Sequence, residues 1–209
     1  TRLEHGWTVI LRHNPGPWLK PAGNQPTLAG MTPGLTEIRR AADVIRGQVL
    51  ETPCVLSRTL SEITGAEVYL KFENLQFTAS FKERGACHRL SLLTPEERRR
   101  GVVAMSAGNH AQALAFAARH HGVRCEIFVP AGAPISKTEA CRAYGADVIE
   151  GGASLSEAVA SARARAAETG MTFCHPYDDP ITVAGQATLG LELLEDLPNL
   201  RRVIVPLGG

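Results

Sequence analysis

Long apolar runs, paired cysteines and an excess of either charge are all missing from this 209-residue sequence. No stretch approaches the roughly 20 apolar residues that a helix needs to cross a bilayer. Val9, Ile10 and Leu11 make too short an apolar core for a signal peptide. With 22 basic and 21 acidic residues the net charge is +1, and no basic stripe is present to neutralise a row of phosphates. That argues against a nucleic-acid partner. Arg98, Arg99 and Arg100 read as the end of a short helix, where cations complement the helix dipole. The five cysteines, at 54, 87, 125, 141 and 174, contain no Cys-x-x-Cys pair, and no His stands at ligand spacing. Neither a metal site nor a disulfide framework is indicated. Reduced, buried thiols in a cytoplasmic protein are expected, without a membrane partner.

What is present is a regular alternation. Residues 1–30 hold both tryptophans, Trp7 and Trp18, and four of the prolines without helix or strand periodicity, and read as an irregular leader outside the fold. Met31 reads as a natural start. Leu35, Ile38, Ala42 and Ile45 recur at helical spacing, with Gly47 placed to end that helix. From residue 102 short apolar runs alternate with longer amphipathic ones. Strands are expected at 102–105, 125–129, 147–150, 171–174 and 203–205, and helices at 111–121, 135–144, 154–170 and 181–194. Gly145 should end the second of these helices, and Ser154 with Glu157 should form a capping box for the third. Such βα repetition implies an α/β fold with a parallel sheet covered by helices on both faces. The sequence stops at Gly208 and Gly209, where a strand would enter a phosphate-binding turn, so the fold is expected to be incomplete.

Three stretches carry chemistry. In the run Ser80-Phe81-Lys82-Glu83-Arg84-Gly85, a lysine beside a bulky aromatic at a loop-to-helix junction can lose hydration, which lowers its pKa and makes its amine a nucleophile. A surface lysine opening an amphipathic helix is the plainer reading of Lys82 alone. The run Ser106-Ala107-Gly108-Asn109-His110 follows a strand and opens a helix, where free amides suit an anion such as a carboxylate. Simple capping by Ser106 and Asn109 is the alternative. The third stretch, Val203 to Gly209, is a strand running into glycines.

Together, in this order, these motifs resemble the fold type II pyridoxal-phosphate enzymes, the tryptophan synthase β family, over Met31 to Gly209. The resemblance implies two parallel-sheet αβα domains: a larger cofactor-binding one from 31–100 and 179–209, incomplete here, and a smaller one from 101–178. It implies pyridoxal 5′-phosphate carried on Lys82, with Phe81 packing by its ring and Asn109 hydrogen-bonding the ring hydroxyl. Gly208 and Gly209 match the start of the loop that grips the phosphate. Ser106, Ala107, Gly108, Asn109 and His110 match the loop that receives the substrate carboxylate. A homo-oligomer is implied for the complete enzyme.

Among members, the threonine and serine dehydratases and the serine racemases are most similar, sharing Ala184-Gly185-Gln186. Sulfhydrylases and threonine synthases typically have Thr where this sequence has His110, which disfavours β-replacement. Racemases place a serine at the position matching Ala107, and alanine cannot move a proton. Tyr177 matches an aromatic common in dehydratases, whereas Ala187 departs from a usual glycine. The resemblance therefore implies deamination of L-threonine to 2-oxobutanoate, and of L-serine to pyruvate, in threonine catabolism or isoleucine biosynthesis. Racemase-like chemistry, β-replacement, and an inactive or binding-only fragment are the alternatives. Lys137 is the other candidate for the cofactor lysine, although its spacing suits an exposed helix face.

Overall fold

The computed structural model describes residues 8–11 and 32–206, with side chains described from residue 32 onward. Their strands divide between two four-stranded sheets. One is wholly parallel and has the order β6-β5-β4-β7, from Val102–Met105 (β4), Cys125–Val129 (β5), Asp147–Glu150 (β6) and Thr172–Phe173 (β7). Helices Asn109–His121 (α5), Ile135–Ala143 (α6) and Leu155–Thr169 (α7) alternate with these strands. This is the expected βα repetition. Strand β5 is buried at every position, as a central parallel strand covered on both faces must be.

The local signals account for most element ends. Gly122 and Gly170 close α5 and α7 in the left-handed conformation at φ 63° and 70°, which L-residues with a Cβ avoid. Ser154 caps α7 by accepting from the Glu157 amide at 3.3 Å, while the Glu157 carboxylate reaches back to Ala153 N at 3.0 Å. A reciprocal capping box that the sequence reading did not name starts Pro95–Arg100 (α4): Thr94 and Glu97 each accept the other's backbone amide.

The other sheet has the order β2-β3-β1-β8, from Cys54–Leu56 (β2), Val68–Lys71 (β3), Thr8–Leu11 (β1) and Arg202–Ile204 (β8). All three of its ladders are antiparallel, unlike the parallel arrangement expected for the larger domain. β3 and β8 run in the same direction, but β1 lies between them and opposes both. The expectation of an irregular leader is thereby corrected at Thr8–Leu11. Threonine, valine and isoleucine in succession favour extended backbone, and four residues suffice when both edges find a partner. The rest of the leader lies outside the described residues, as does Met31.

Three helices bind the sheets together. Leu35–Ile45 (α1), Lys82–Ser91 (α3) and Pro180–Asp196 (α8) pack on one another, and α3 also packs on α5. The main apolar core accordingly runs from Ile45 of α1 through Ala86 and Leu90 of α3 and Leu114 of α5 to Val102 and Ile127 of the parallel sheet. Helix α5 is buried around most of its surface, with Ala111, Ala113, Ala115, Ala117 and Ala118 enclosed. Small side chains let a helix lie that close to both a sheet and a second helix. The α3–α8 contact is tighter still, because Gly85 and Gly185 face each other there. Among the described residues no helix is long and apolar enough to cross a membrane.

Candidate active site

Lys82 is the first residue of α3, at the loop-to-helix junction the sequence indicated. The loop before it is held from several sides. Glu83 is fully buried and accepts the Thr78 amide at 2.7 Å, and Ser80 accepts the Lys82 amide at 3.2 Å. Ala79 has φ 55°, the sole positive value outside glycine among the described residues, and that conformation costs an alanine roughly 1–2 kcal/mol. The strain sits three residues before Lys82, where the surrounding contacts enforce the turn. Phe81 packs against the cluster of Leu189, Leu193 and Leu197, pinning the turn to α8.

Beneath the turn lies a buried charge network that sequence reading did not find. The Arg84 guanidinium is 1 % exposed and makes paired contacts with Glu73, at 2.8 Å from both Nε and Nη2, and with Glu192, at 2.5 and 3.0 Å. Those carboxylates hold the Arg84 pKa far above its ordinary value despite burial. Glu192 also meets Lys71 at 2.8 Å, and Lys71 reaches Asp196 at 3.0 Å. Breaking a buried pair of this kind typically costs about 3–5 kcal/mol, so the Lys82 turn rests on a rigid base.

The described residues contain three lysines, and they stand in different electrostatic settings. Lys71 is fixed between two carboxylates, which raise its pKa. Lys137 donates to Asn109 Oδ1 at 3.1 Å. Lys82 has no acidic partner within ion-pair distance among the described residues, and burial holds its pKa below the ordinary value. Its Nζ points to the Pro176 carbonyl at 3.4 Å and lies 5.5 Å from the Phe81 ring centre. An amine that sheds its proton easily is what nucleophilic and base chemistry requires.

The second motif meets the first on the loop after β7. His110 on α5 contacts the Cys174 carbonyl through Nε2 at 3.2 Å, two residues before the Pro176 carbonyl that Lys82 contacts. His110 is 4 % exposed, and its Nδ1 is buried with no hydrogen-bond partner among the described residues. Burial, aided by the nearby Lys82 charge, pushes its pKa down to about 4. Ser106, Ala107, Gly108 and Asn109 are half-buried above it, at the C-terminal end of β4 and the start of α5. Simple capping by Ser106 and Asn109 does not hold. The cap position is Gly108, no side chain caps the helix, and a Cβ at Gly108 would meet nothing within 4 Å. Ser106 Oγ instead accepts the Gly108 amide at 3.2 Å. The start of α5 thus lacks a side-chain cap, and the unpaired amides of such a first helical turn suit an anion.

Tyr177 is 57 % exposed and packs edge-on against His175, ring centres 4.6 Å apart. Gln186 on α8 lies against Gly85, with both side-chain polar atoms buried and without a partner among the described residues. Lys137 is half-buried, and the expected exposed face is corrected by its bond to Asn109. Gly208 and Gly209 lie outside the described residues.

Several known proteins resemble this chain. A family model described as pyridoxal-phosphate dependent enzyme matches residues 45–209. An L-threonine ammonia-lyase from Thermotoga maritima is 48% identical over 175 residues, covering 84% of this chain and 44% of that protein. Among solved structures, maize serine racemase superposes with a TM-score of 0.75 at 36% identity, over 78% of this chain and 50% of that one. The processed form of threonine deaminase isoform 2 from Solanum lycopersicum gives a TM-score of 0.72 at 34% identity, over 83% of this chain and 48% of that one. The chain thus spans about half the length of the relatives it matches.

Proposed function

The chain belongs to the family of pyridoxal-phosphate dependent enzymes, and on that premise we propose that the complete protein deaminates L-threonine to 2-oxobutanoate and ammonia. L-Serine is converted to pyruvate in the same way. Water leaves with the β-hydroxyl and a water returns in the final hydrolysis that frees ammonia. The observation that carries the reading is Lys82: a half-buried amine of lowered pKa, without an acidic partner among the described residues, beside the uncapped start of α5.

The described residues fit the cofactor. Lys82 would offer an amine to its aldehyde and Asn109 an amide to its ring, the buried Nδ1 of His110 lies beside them without a partner among the described residues, and the space at Gly108 is open. When bound, pyridoxal phosphate supplies an aldehyde that captures the substrate amine and a conjugated ring that accepts the electron pair left at the α-carbon. The protein's own groups do the rest. The open amides at the start of α5, with Ser106, bind and orient the substrate carboxylate. Lys82 Nζ removes the α-proton, and the burial that lowers its pKa favours the free amine that this step needs. The Arg84–Glu73 base and the Phe81 anchor hold Lys82 in place while the proton moves.

Ala107 favours elimination over racemisation. Racemisation needs a second proton carrier on the face opposite Lys82, and Ala107 has only a methyl group to offer there. In the complete protein, Lys82→Ala should abolish both the visible-edge absorbance of lysine-bound cofactor and the release of 2-oxobutanoate. Persistence of that absorbance would move the role to another lysine.

A further inference from the structure

Lys137 stands on the first turn of α6, beyond the C-terminal end of β5, and its Nζ donates to Asn109 Oδ1 at 3.1 Å. Among the described residues it forms no ion pair, although Glu139 on the same helix pairs with Arg142 at 2.6 Å. The lysine has therefore been directed to a neutral amide in the active-site loop. An ammonium group has three donors and no acceptor. Only the oxygen of an amide can face it, so the two ends of the Asn109 side chain, otherwise interchangeable, are fixed. Oδ1 points to Lys137, and Nδ2, a pure donor, points elsewhere.

We propose that Lys137 is a positioning residue of the cofactor site. By holding Oδ1 it commits Asn109 Nδ2 to donate to the ring hydroxyl oxygen of pyridoxal phosphate and favours the ionised form of that oxygen. This rests on the functional reading above. A donor fixed in advance loses no bonding to the flipped amide, and the Lys137 charge one side chain away strengthens it by polarising the amide. The lysine needs no contact with the cofactor.

The test uses the complete holoenzyme and four variants: Lys137→Met, which keeps the stem and removes the donors, Lys137→Arg, which keeps donors and charge, Asn109→Ala, and the Met variant in the Asn109→Ala background. Two quantities are read at one pH: the dissociation constant for pyridoxal phosphate, and the ratio of the longer-wavelength absorbance of the ionised ring to the shorter-wavelength absorbance of the neutral ring. Lys137→Met should weaken cofactor binding about tenfold, the scale of one hydrogen bond to a charged group, and shift the ratio toward the neutral ring. Lys137→Arg should restore much of both. In the Asn109→Ala background the Met substitution should add little, because the residue it acts through is gone. An unchanged ratio and affinity in Lys137→Met would overturn the proposal, as would an equal effect with and without Asn109. Absence of the lysine-bound band in the wild-type protein would instead overturn the functional reading, and this assignment with it.

Discussion

A methyl group added at Gly185 has no room, whereas the same group at Gly190 on the same helix has. An ideal Cβ at Gly185 lies 2.7 Å from the Arg84 carbonyl oxygen, 2.7 Å from His88 Cβ and 2.8 Å from Gly85 Cα. None of these is the free end of a flexible side chain, so α8 has to move away from α3. At Gly190 nothing lies within 4 Å. Both substitutions to alanine gain the same intrinsic helix propensity, about 1 kcal/mol. Only Gly185→Ala meets the overpacking penalty, typically about 1–3 kcal/mol. Gly190→Ala should therefore raise stability by about 1 kcal/mol, and Gly185→Ala should fall below it by about 1–3 kcal/mol. Because α3 begins at Lys82, the same displacement should weaken cofactor binding in Gly185→Ala and leave it unchanged in Gly190→Ala. Urea unfolding of the complete protein followed by circular dichroism, with the slope of stability against urea checked for constancy, measures the difference. Equal stability for the two variants would refute the close-packing argument.

His110 makes a pH-dependent contribution whose sign follows from its burial. The unfolded chain takes up a proton near 6.5, but the folded protein resists until about 4, so between those values the unfolded state binds more protons and stability falls as the pH is lowered. The full loss amounts to about 3 kcal/mol. His110→Gln keeps a donor for the Cys174 carbonyl, and unfolding curves between pH 7 and pH 4 should show a flatter decline than wild type; parallel curves would assign the acid sensitivity elsewhere. For reaction choice, chiral analysis of residual serine during turnover in deuterated water should show little D-serine beside pyruvate. Ala107→Ser should raise it, and D-serine forming as fast as pyruvate in the wild-type protein would show that another group serves the second face.

The parallel half of the fold was legible because its signals are local. Strands β4, β5 and β6 and the ends of α5 and α7 follow from short apolar runs, glycines and caps, and their spacing leaves little freedom. The antiparallel sheet was not legible, since β1 is a four-residue strand whose neighbours come from positions 68–71 and 202–204. Pairing over such separations leaves no periodic trace. The same holds for the site. Lys82 and the Ser106–His110 run are contiguous motifs, whereas the Arg84–Glu192 pair joins residues 108 apart and the Lys137–Asn109 bond joins residues 28 apart. Arg84 could have been suspected because Glu83, Arg84, His88 and Arg89 spread charge and polarity around the helix, so packing it against the core must bury some of them, and Glu83, Arg84 and His88 are buried. Lys137 carried no such signal. Helical spacing placed it on a solvent face, and only the approach of α6 to the start of α5 brought it inward.

Lys82, and not Lys137 or Lys71, is the residue proposed to bond the cofactor. Borohydride reduction of the complete holoenzyme makes that bond permanent, and proteolysis with mass spectrometry then locates the added mass. The pyridoxyl group is expected on the peptide containing Phe81-Lys82-Glu83, with unmodified peptides containing Lys71 and Lys137. Recovery of the pyridoxyl group on either of the other lysines, with Lys82 unmodified, would contradict it.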